Sequence, residues 1–247
     1  MKPRAKAQER RADEHDVMSF SASDLLNLAE TDHSALFSPD EPAWVALSGI
    51  AAYLEERIER VGSGLRQGSV DARAVVGEQV YLAPGAIVEA NAIVKGPAWI
   101  GSGTVVRSGA YVREHVIVGN DCVLGNSSEF KNCVLFNRCE VPHFNYVGDS
   151  VLGFRAHLGA GVVCSNVRLD RGMVKVRDGV GGFLDTGLGK FGAIIGDRTE
   201  VGCNAVLSPG SILGRDCIVY PLTSWQGVLP CHHIAKSHGE LHVVKRR

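Results

Sequence analysis

Three side chains in the middle of the sequence could bind phosphate and transfer a proton if the fold brings them together. They are Arg113, Lys131 and His143. Guanidinium and ammonium groups bind phosphate oxygens, and a neutral imidazole accepts a proton from an amine near neutral pH. The residue types therefore predict a site that binds a phosphorylated substrate and removes a proton from a nucleophile beside the phosphate. A solvated surface cluster of charges is the alternative.

The segment around these residues follows a period of six. Stepping by six from Val70 reaches a large apolar residue at every position up to Phe130, and a small or compact residue stands two positions before each of them. This period is typical of a triangular parallel β-helix, in which three hexads form a coil of about eighteen residues. Arg113 and Lys131 then lie on successive coils. The hairpin turns that a two-sheet sandwich needs do not dominate.

The period shortens twice, breaks once and then resumes. One five-residue step leads from Phe130 to Leu135 and another from Val147 to Leu152, and the pattern is lost between Asn166 and Gly192 before it restarts at Ile195. The intervening segment is too long and too rich in glycine to be a corner, so we expect it to leave the prism as a loop.

An N-terminal helical segment precedes the repeats. Ser21 is a predicted helix cap, and apolar residues from Trp44 to Val61 keep one helical face, with a start at either Ser38 or Asp40. We expect these helices to cover the open first coil and Trp44 to pack in the core. The predicted organisation is a mobile segment and helical cap over 1–67, a left-handed β-helix over 68–229 with a loop near 167–192, and a tail over 230–247.

Net charge, hydropathy and cysteine content indicate which partners the chain lacks and where it is located. The net charge of -1 over 247 residues predicts no general affinity for nucleic acid or anionic membranes. The charged N-terminus and the lack of a long apolar run predict a cytoplasmic protein. Seven cysteines without a Cys-x-x-Cys pair fit buried, reduced thiols.

The central motifs carry a specific resemblance. The run from Ala110 to Asn166 resembles the acetyltransferase domain of the bifunctional N-acetylglucosamine-1-phosphate uridyltransferase and glucosamine-1-phosphate N-acetyltransferase. The motifs that match are Tyr111-Val112-Arg113, Glu129-Phe130-Lys131-Asn132, Pro142-His143-Phe144-Asn145-Tyr146-Val147-Gly148-Asp149, Gly159-Ala160-Gly161 and Ser165-Asn166, followed by Lys190-Phe191.

The resemblance implies a transfer of the acetyl group of acetyl-CoA to an amino-sugar phosphate similar to glucosamine 1-phosphate. It also implies a homotrimer with sites between neighbouring prisms, across which the loop would reach. An oxyanion would be held by main-chain N–H groups or by Asn166. The implied roles are general base for His143, substrate contacts for Arg113, Lys131, Tyr146, His157, Lys190 and Glu129, and contacts to acetyl-CoA for Ala160, Asn166 and Cys203.

Two departures and two alternatives qualify this expectation. His157 replaces an asparagine that contacts the substrate in that family, and Pro221 replaces an alanine of the coenzyme site. A non-catalytic trimeric β-helix that binds a sugar phosphate or sugar nucleotide is one alternative. The other is a zinc-dependent, carbonic-anhydrase-like enzyme. Its histidines would be His115, His143 and His157, but they lack the close pair that such a site uses, so we expect no metal.

Overall fold

The computed structural model describes residues 20–178 and 181–237. The chain forms a left-handed parallel β-helix of about 9 coils, which confirms the predicted fold class. Three parallel sheets make the faces of the prism. The predicted mobile N-terminal segment and most of the predicted tail lie outside the described residues.

Each sheet takes every third strand of the prism along the chain. The first sheet consists of β1 (Ser69–Val70), β4 (Ile87–Val88), β7 (Val105–Val106), β10 (Val123–Asn126), β13 (Glu140–His143), β16 (His157–Leu158), β21 (Glu200–Val201), β24 (Ile218–Val219) and β27 (Ile234–Ala235). The second consists of β2 (Val75–Val76), β5 (Ile93–Val94), β8 (Tyr111–Val112), β11 (Glu129–Lys131), β14 (Tyr146–Gly148), β17 (Val163–Cys164), β22 (Val206–Leu207) and β25 (Ser224–Trp225). The third consists of β3 (Val80–Leu82), β6 (Ala98–Ile100), β9 (Val116–Val118), β12 (Cys133–Leu135), β15 (Val151–Leu152), β20 (Ala193–Ile195), β23 (Ser211–Leu213) and β26 (Val228–Leu229).

The large residue of each hexad points into the prism, as predicted. Leu124 pairs with Val106 on one neighbouring strand and with Val141 on the other, and all three side chains are buried. The first five-residue step is confirmed because Leu135 stacks on Val118 without loss of register. The repeats continue to β27, past the predicted end at residue 229.

The helical segment contains two α-helices, α1 (Ala22–Leu25) and α2 (Ala46–Val61). Ser21 caps α1 as predicted, since its hydroxyl accepts the Asp24 N–H at 3.3 Å. Helix α2 begins later than either predicted start, because a 3₁₀ turn precedes it. The 3₁₀ turns are Leu28–Glu30, Ser34–Leu36, Ala43–Val45 and Gly62–Gly64.

The expectation that these helices cover the open first coil is wrong. They pack on the outer surface of the third sheet, whereas Val70 of the first coil is 39% exposed. The reason is that the third-sheet strands also carry apolar residues on their outer side, and a parallel sheet of this kind is stable when both faces are covered. Trp44 lies in this layer and is buried, as predicted. The outward apolar residues are Trp99, Ile117, Val134, Val151, Ile194 and Ile212.

A buried carboxylate attaches the helical segment to a distant coil. Asp197 accepts the N–H of Asn27 at 2.7 Å and that of Phe154 at 2.8 Å, and its own N–H donates to the carbonyl of Leu25 at 3.2 Å. Burial raises the pKa of Asp197, although these N–H groups and Arg215 favour its charged form.

The segment that leaves the prism between β17 and β20 contains an antiparallel hairpin, β18 (Lys175–Arg177) and β19 (Phe183–Asp185). Val174 and Val176 are buried in the same apolar layer as the helices, so this part of the segment folds back onto the prism. Leu169 and Phe183 are exposed.

All seven cysteines are free thiols. Five are buried in the prism as expected, while Cys203 is exposed and Cys231 is partly exposed. Burial raises the pKa of Cys164 to about 12, so this thiol stays protonated. Within the described ranges, every helix is too short or too polar to cross a membrane.

We predict that His33 makes the stability of the fold sensitive to acid. Its ring is buried against Trp99 and Tyr53, and burial lowers its pKa from 6.5 to about 4. Between these two pH values the unfolded chain binds a proton that the folded chain does not, so the free energy of unfolding should fall by about 3 kcal/mol from pH 7 to pH 4. Urea unfolding across this range measures the slope. His33→Phe should remove this part of the slope, and an unchanged slope in the variant would contradict the prediction.

Candidate functional site

The second sheet stacks the predicted substrate contacts in register. Glu129 pairs with Tyr111 on one side and with Tyr146 on the other. Arg113 lies at the end of β8 and its Nη1 donates to Glu129 Oε1 at 2.9 Å. The structure therefore brings Arg113, Glu129 and Tyr146 together on one face, and their roles as substrate contacts stay a prediction.

A buried carboxylate that the sequence reasoning missed organises the adjoining corner. Asp149 is 4% exposed and accepts Lys131 Nζ at 3.2 Å and Asn132 Nδ2 at 2.9 Å. Asn166 Nδ2 also donates to Asp149, and its second hydrogen bond reaches the Tyr146 hydroxyl at 3.2 Å. Burial raises the pKa of Tyr146, so its hydroxyl stays protonated.

The two predicted phosphate ligands are therefore not equivalent. Lys131 is paired with the buried carboxylate of Asp149. Moving the lysine to a ligand would leave that carboxylate buried without its charged partner, which costs free energy. Arg113 is held by Glu129, whose side chain is 36% exposed and can turn toward solvent. Arg113 is thus the cation that a ligand can recruit at lower cost.

The expectation that Asn166 stabilises an oxyanion is not supported. An amide nitrogen has two hydrogens, and those of Asn166 are used by Asp149 and Tyr146. Asn166 also lies after the second sheet, away from the edge that holds Ala160 and Cys203.

His143 lies at the edge where the first sheet meets the second, and its side chain is exposed. Its main chain is fixed on both sides: its N–H donates to Asn145 Oδ1 at 3.1 Å, and its carbonyl accepts the Gly161 N–H at 3.0 Å. Asn145 is buried and donates to the Gly159 carbonyl at 2.7 Å. Among the described residues, no side chain hydrogen-bonds to the imidazole ring.

Ala160 and Cys203 follow His143 along this edge on successive coils. The Asn204 N–H donates to the Ala160 carbonyl at 2.8 Å, and the Leu222 N–H donates to the Cys203 carbonyl at 2.9 Å. These two predicted coenzyme contacts therefore share the edge with His143.

Lys190 lies beside the Asp149 network. It is exposed, but the N–H of the next residue, Phe191, donates to the Asn166 carbonyl at 2.9 Å, and the Gly192 N–H donates to the Asp149 carbonyl at 2.8 Å. The end of the loop is thus fixed where the lysine emerges.

His157 lies on the first sheet rather than with the substrate contacts of the second. Its Nδ1 is 2.6 Å from Glu200 Oε2, on the neighbouring strand. Glu200 was also missed, although a signal was present: both residues stand one position before a large apolar residue of the repeat, Leu158 and Val201. That position points outward, so their side chains share a face.

The histidines do not form a metal site in the described parts of the chain. No three His, Cys, Asp or Glu side chains are grouped as ligands within residues 20–178 and 181–237. His115 lies at a corner with a φ of 61°, and its N–H donates to the Pro97 carbonyl. His143 lies at the end of β13 and His157 at the start of β16, so the three histidines are at different positions on the prism.

We predict that Asp149→Asn destabilises the fold because it leaves Lys131 without its charged partner. The free energy of unfolding should fall by about 1–3 kcal/mol, as expected for a buried hydrogen bond to a charged group. Urea unfolding at pH 7 measures the change. The control is Asp185→Asn, which removes an exposed pair with Lys175 at 3.5 Å and should change stability by less than about 1 kcal/mol. Equal effects of the two substitutions would contradict the prediction.

Comparisons with known proteins connect this site to a group of relatives. The family model described as GMPPB C-terminal domain matches residues 94–181. A bifunctional protein GlmU of Methanococcus maripaludis is 36% identical over 182 residues, which cover 71% of this chain and 43% of that protein. A bifunctional sugar-1-phosphate nucleotidylyltransferase/acetyltransferase of Sulfurisphaera tokodaii is 37% identical over 95 residues, which cover 38% of this chain and 23% of that protein.

The chain spans less than half the length of these curated relatives. Among solved structures, a UDP-N-acetylglucosamine O-acyltransferase of Moraxella catarrhalis aligns with a TM-score of 0.32 at 16% identity, covering 63% of each chain, which is too distant to inform the site. The relatives in sequence and the coils of the structure agree with the predicted resemblance. The chain is a hexapeptide-repeat β-helix protein whose relatives include the bifunctional GlmU proteins.

Proposed function

We propose that this chain transfers an acyl group from a coenzyme A thioester to the amine of a phosphorylated amino sugar. The observation that carries the proposal is the exposed His143 on a fixed main chain, at the same edge as Ala160 and Cys203. The similarity to proteins named as acetyltransferases supports the reaction class and makes acetyl-CoA the proposed donor.

His143 would act as the general base. An amine that attacks a thioester carbonyl forms a C–N bond and must lose a proton, which a neutral imidazole can accept near pH 7. The C–S bond then breaks and the departing thiolate takes up a proton. The exposed ring leaves the imidazole accessible to an acceptor at this edge.

The acceptor phosphate would be bound chiefly by Arg113. Glu129 would turn away from the guanidinium and become available to a sugar hydroxyl, while Tyr146 would offer its neutral hydroxyl. Lys131 would contribute to the local positive charge while it remains paired with Asp149. Lys190 would complete the site from the end of the loop.

We predict that His143→Ala lowers turnover by about 10²–10⁴-fold without a loss of stability. Thiol release from acetyl-CoA in the presence of glucosamine 1-phosphate and other amino-sugar phosphates measures the reaction. His232→Ala, which removes an exposed histidine at another corner, is the control and should retain wild-type turnover. Near-normal turnover of the His143 variant would exclude this residue as the base.

We predict that Arg113→Gln raises the Michaelis constant of the phosphorylated acceptor by about 10–100-fold, as expected for a loss of about 1.5–3 kcal/mol. Steady-state kinetics with phosphorylated and unphosphorylated amino sugars distinguish phosphate binding from a structural role. If Arg113 binds the phosphate, only the Michaelis constant of the phosphorylated acceptor should change. Lys95→Gln, one coil before Arg113 in the same column, is the control. Equal changes for both acceptors would show that the guanidinium serves the structure.

The second candidate is a non-catalytic β-helix that binds a sugar phosphate or sugar nucleotide. The observation that favours it is the absence of any hydrogen bond between the His143 ring and the described side chains, since a base is usually oriented by a partner. Binding of the sugar without thiol release would support this alternative. The homotrimer implied by the resemblance stays a prediction under either function.

A further inference from the structure

The described residues include one histidine that a carboxylate does orient. His157 and Glu200 are register partners on adjacent strands of the first sheet, with Nδ1 and Oε2 2.6 Å apart. Because Nδ1 is bound to the carboxylate, Nε2 is the nitrogen left to accept a proton. A histidine held in this way by a carboxylate is the arrangement found in general-base catalysis.

This pair lies between two adjoining cavities. The smaller, of about 300 Å³, is mainly apolar, and its lining includes Gly159, Gly202, Cys203 and Pro221. The larger, of about 590 Å³, is lined by charged residues. They are Asp121, Arg138, Glu140, Arg155 and Glu200, together with His157 itself.

Two of these charges have no ion-pair partner among the described side chains. Glu140 stands directly beside His157 in the register of the sheet, and Arg155 precedes His157 by two residues on the same coil. Arg138 is 3.9 Å from Asp121, and Glu200 is engaged with His157. The larger cavity therefore offers a carboxylate to an ammonium group and a guanidinium to an anionic group.

An amine acceptor requires two proton transfers. It enters as an ammonium ion, which must lose one proton before it can attack and a second after the C–N bond has formed. One of these protons goes to the departing thiolate and the other to solvent. A single general base accounts for only one of the two steps.

We propose that the His157–Glu200 pair accepts the first proton from the ammonium form of an acceptor that carries an anionic group, and passes it to solvent through the larger cavity. The inference rests on the proposed acyl transfer and leaves the second proton to His143. Glu140 attracts the ammonium group, while the anionic group stays with Arg113 as in the proposed function. The two histidines lie on linked coils, since the Gly161 N–H that follows β16 donates to the His143 carbonyl at 3.0 Å.

The test uses the dependence of the reaction on pH. His157→Gln and Glu200→Gln should lower kcat/KM for an amino-sugar phosphate by about 30-fold at pH 6.5, because only about 3% of an amine with a pKa of about 8 is neutral there. At pH 9.5 the loss should shrink to less than about threefold, because an amine of this kind loses its proton near pH ~8 and arrives neutral. The loss caused by His143→Ala should persist at both pH values, which makes this variant the matched control.

A second measurement is independent of activity. Nitrogen-15 NMR of the wild type should show His157 with its hydrogen on Nδ1, and Glu200→Gln should move it toward Nε2, because a Gln amide can donate to Nδ1. Losses of equal size at both pH values, or no loss, would overturn the inference while the proposed function stands. A wild-type His157 with its hydrogen on Nε2 would also overturn it, because the carboxylate would then not orient the ring through Nδ1. If the wild type releases no thiol with any amine, the proposed function and this inference fall together.

Discussion

The stacking of coils in register is the constraint on which this structure depends. Each strand lies about 4.8 Å from the next, so a side chain has as neighbours the residues at the same hexad position one coil before and one coil after. On the second sheet this rule places Lys95, Arg113 and Lys131 in one column of positive charge. The column is tolerated because carboxylates stand beside it: Glu129 pairs with Arg113 and Asp149 with Lys131.

The same rule explains how much of the fold could be predicted from the sequence. The inward ladder was predictable because one residue in six is large and apolar, and register follows from that period alone. The position of the helices was mispredicted because the period of six identifies only the inward residues and says nothing about the outward apolar ones. In the third sheet, Trp99 and Ile117 occupy the middle of three-residue apolar strands and point outward, so this face is buried only if another layer covers it. An outward apolar residue of this kind recurs in every third hexad.

The candidate site was predictable in its residues but less so in its connections. The resemblance named Arg113, Lys131 and Asn166, yet it could not show that two of the three are held by Asp149. Hydrogen bonds between coils depend on side-chain directions that a motif does not encode. The partnership of His157 with Glu200 was accessible in principle, since register alone places the two together, but the loop between their coils separates them by 43 residues in the sequence.

The attachment of the N-terminal segment at Asp197 has a consequence for the order in which the chain folds. Contacts between coils join residues close in sequence, so the prism can grow by adding one coil to the last. The hydrogen bond from Asn27 to Asp197, in contrast, spans 170 residues. During synthesis the helical segment leaves the ribosome before the coils but finds this anchor only after most of the coils have been made. Helix α2 can cover β9 and β12 as soon as these strands are made, whereas the turn that carries Asn27 lacks its buried partner until Asp197 is added, so the N-terminal segment reaches its final position in two stages.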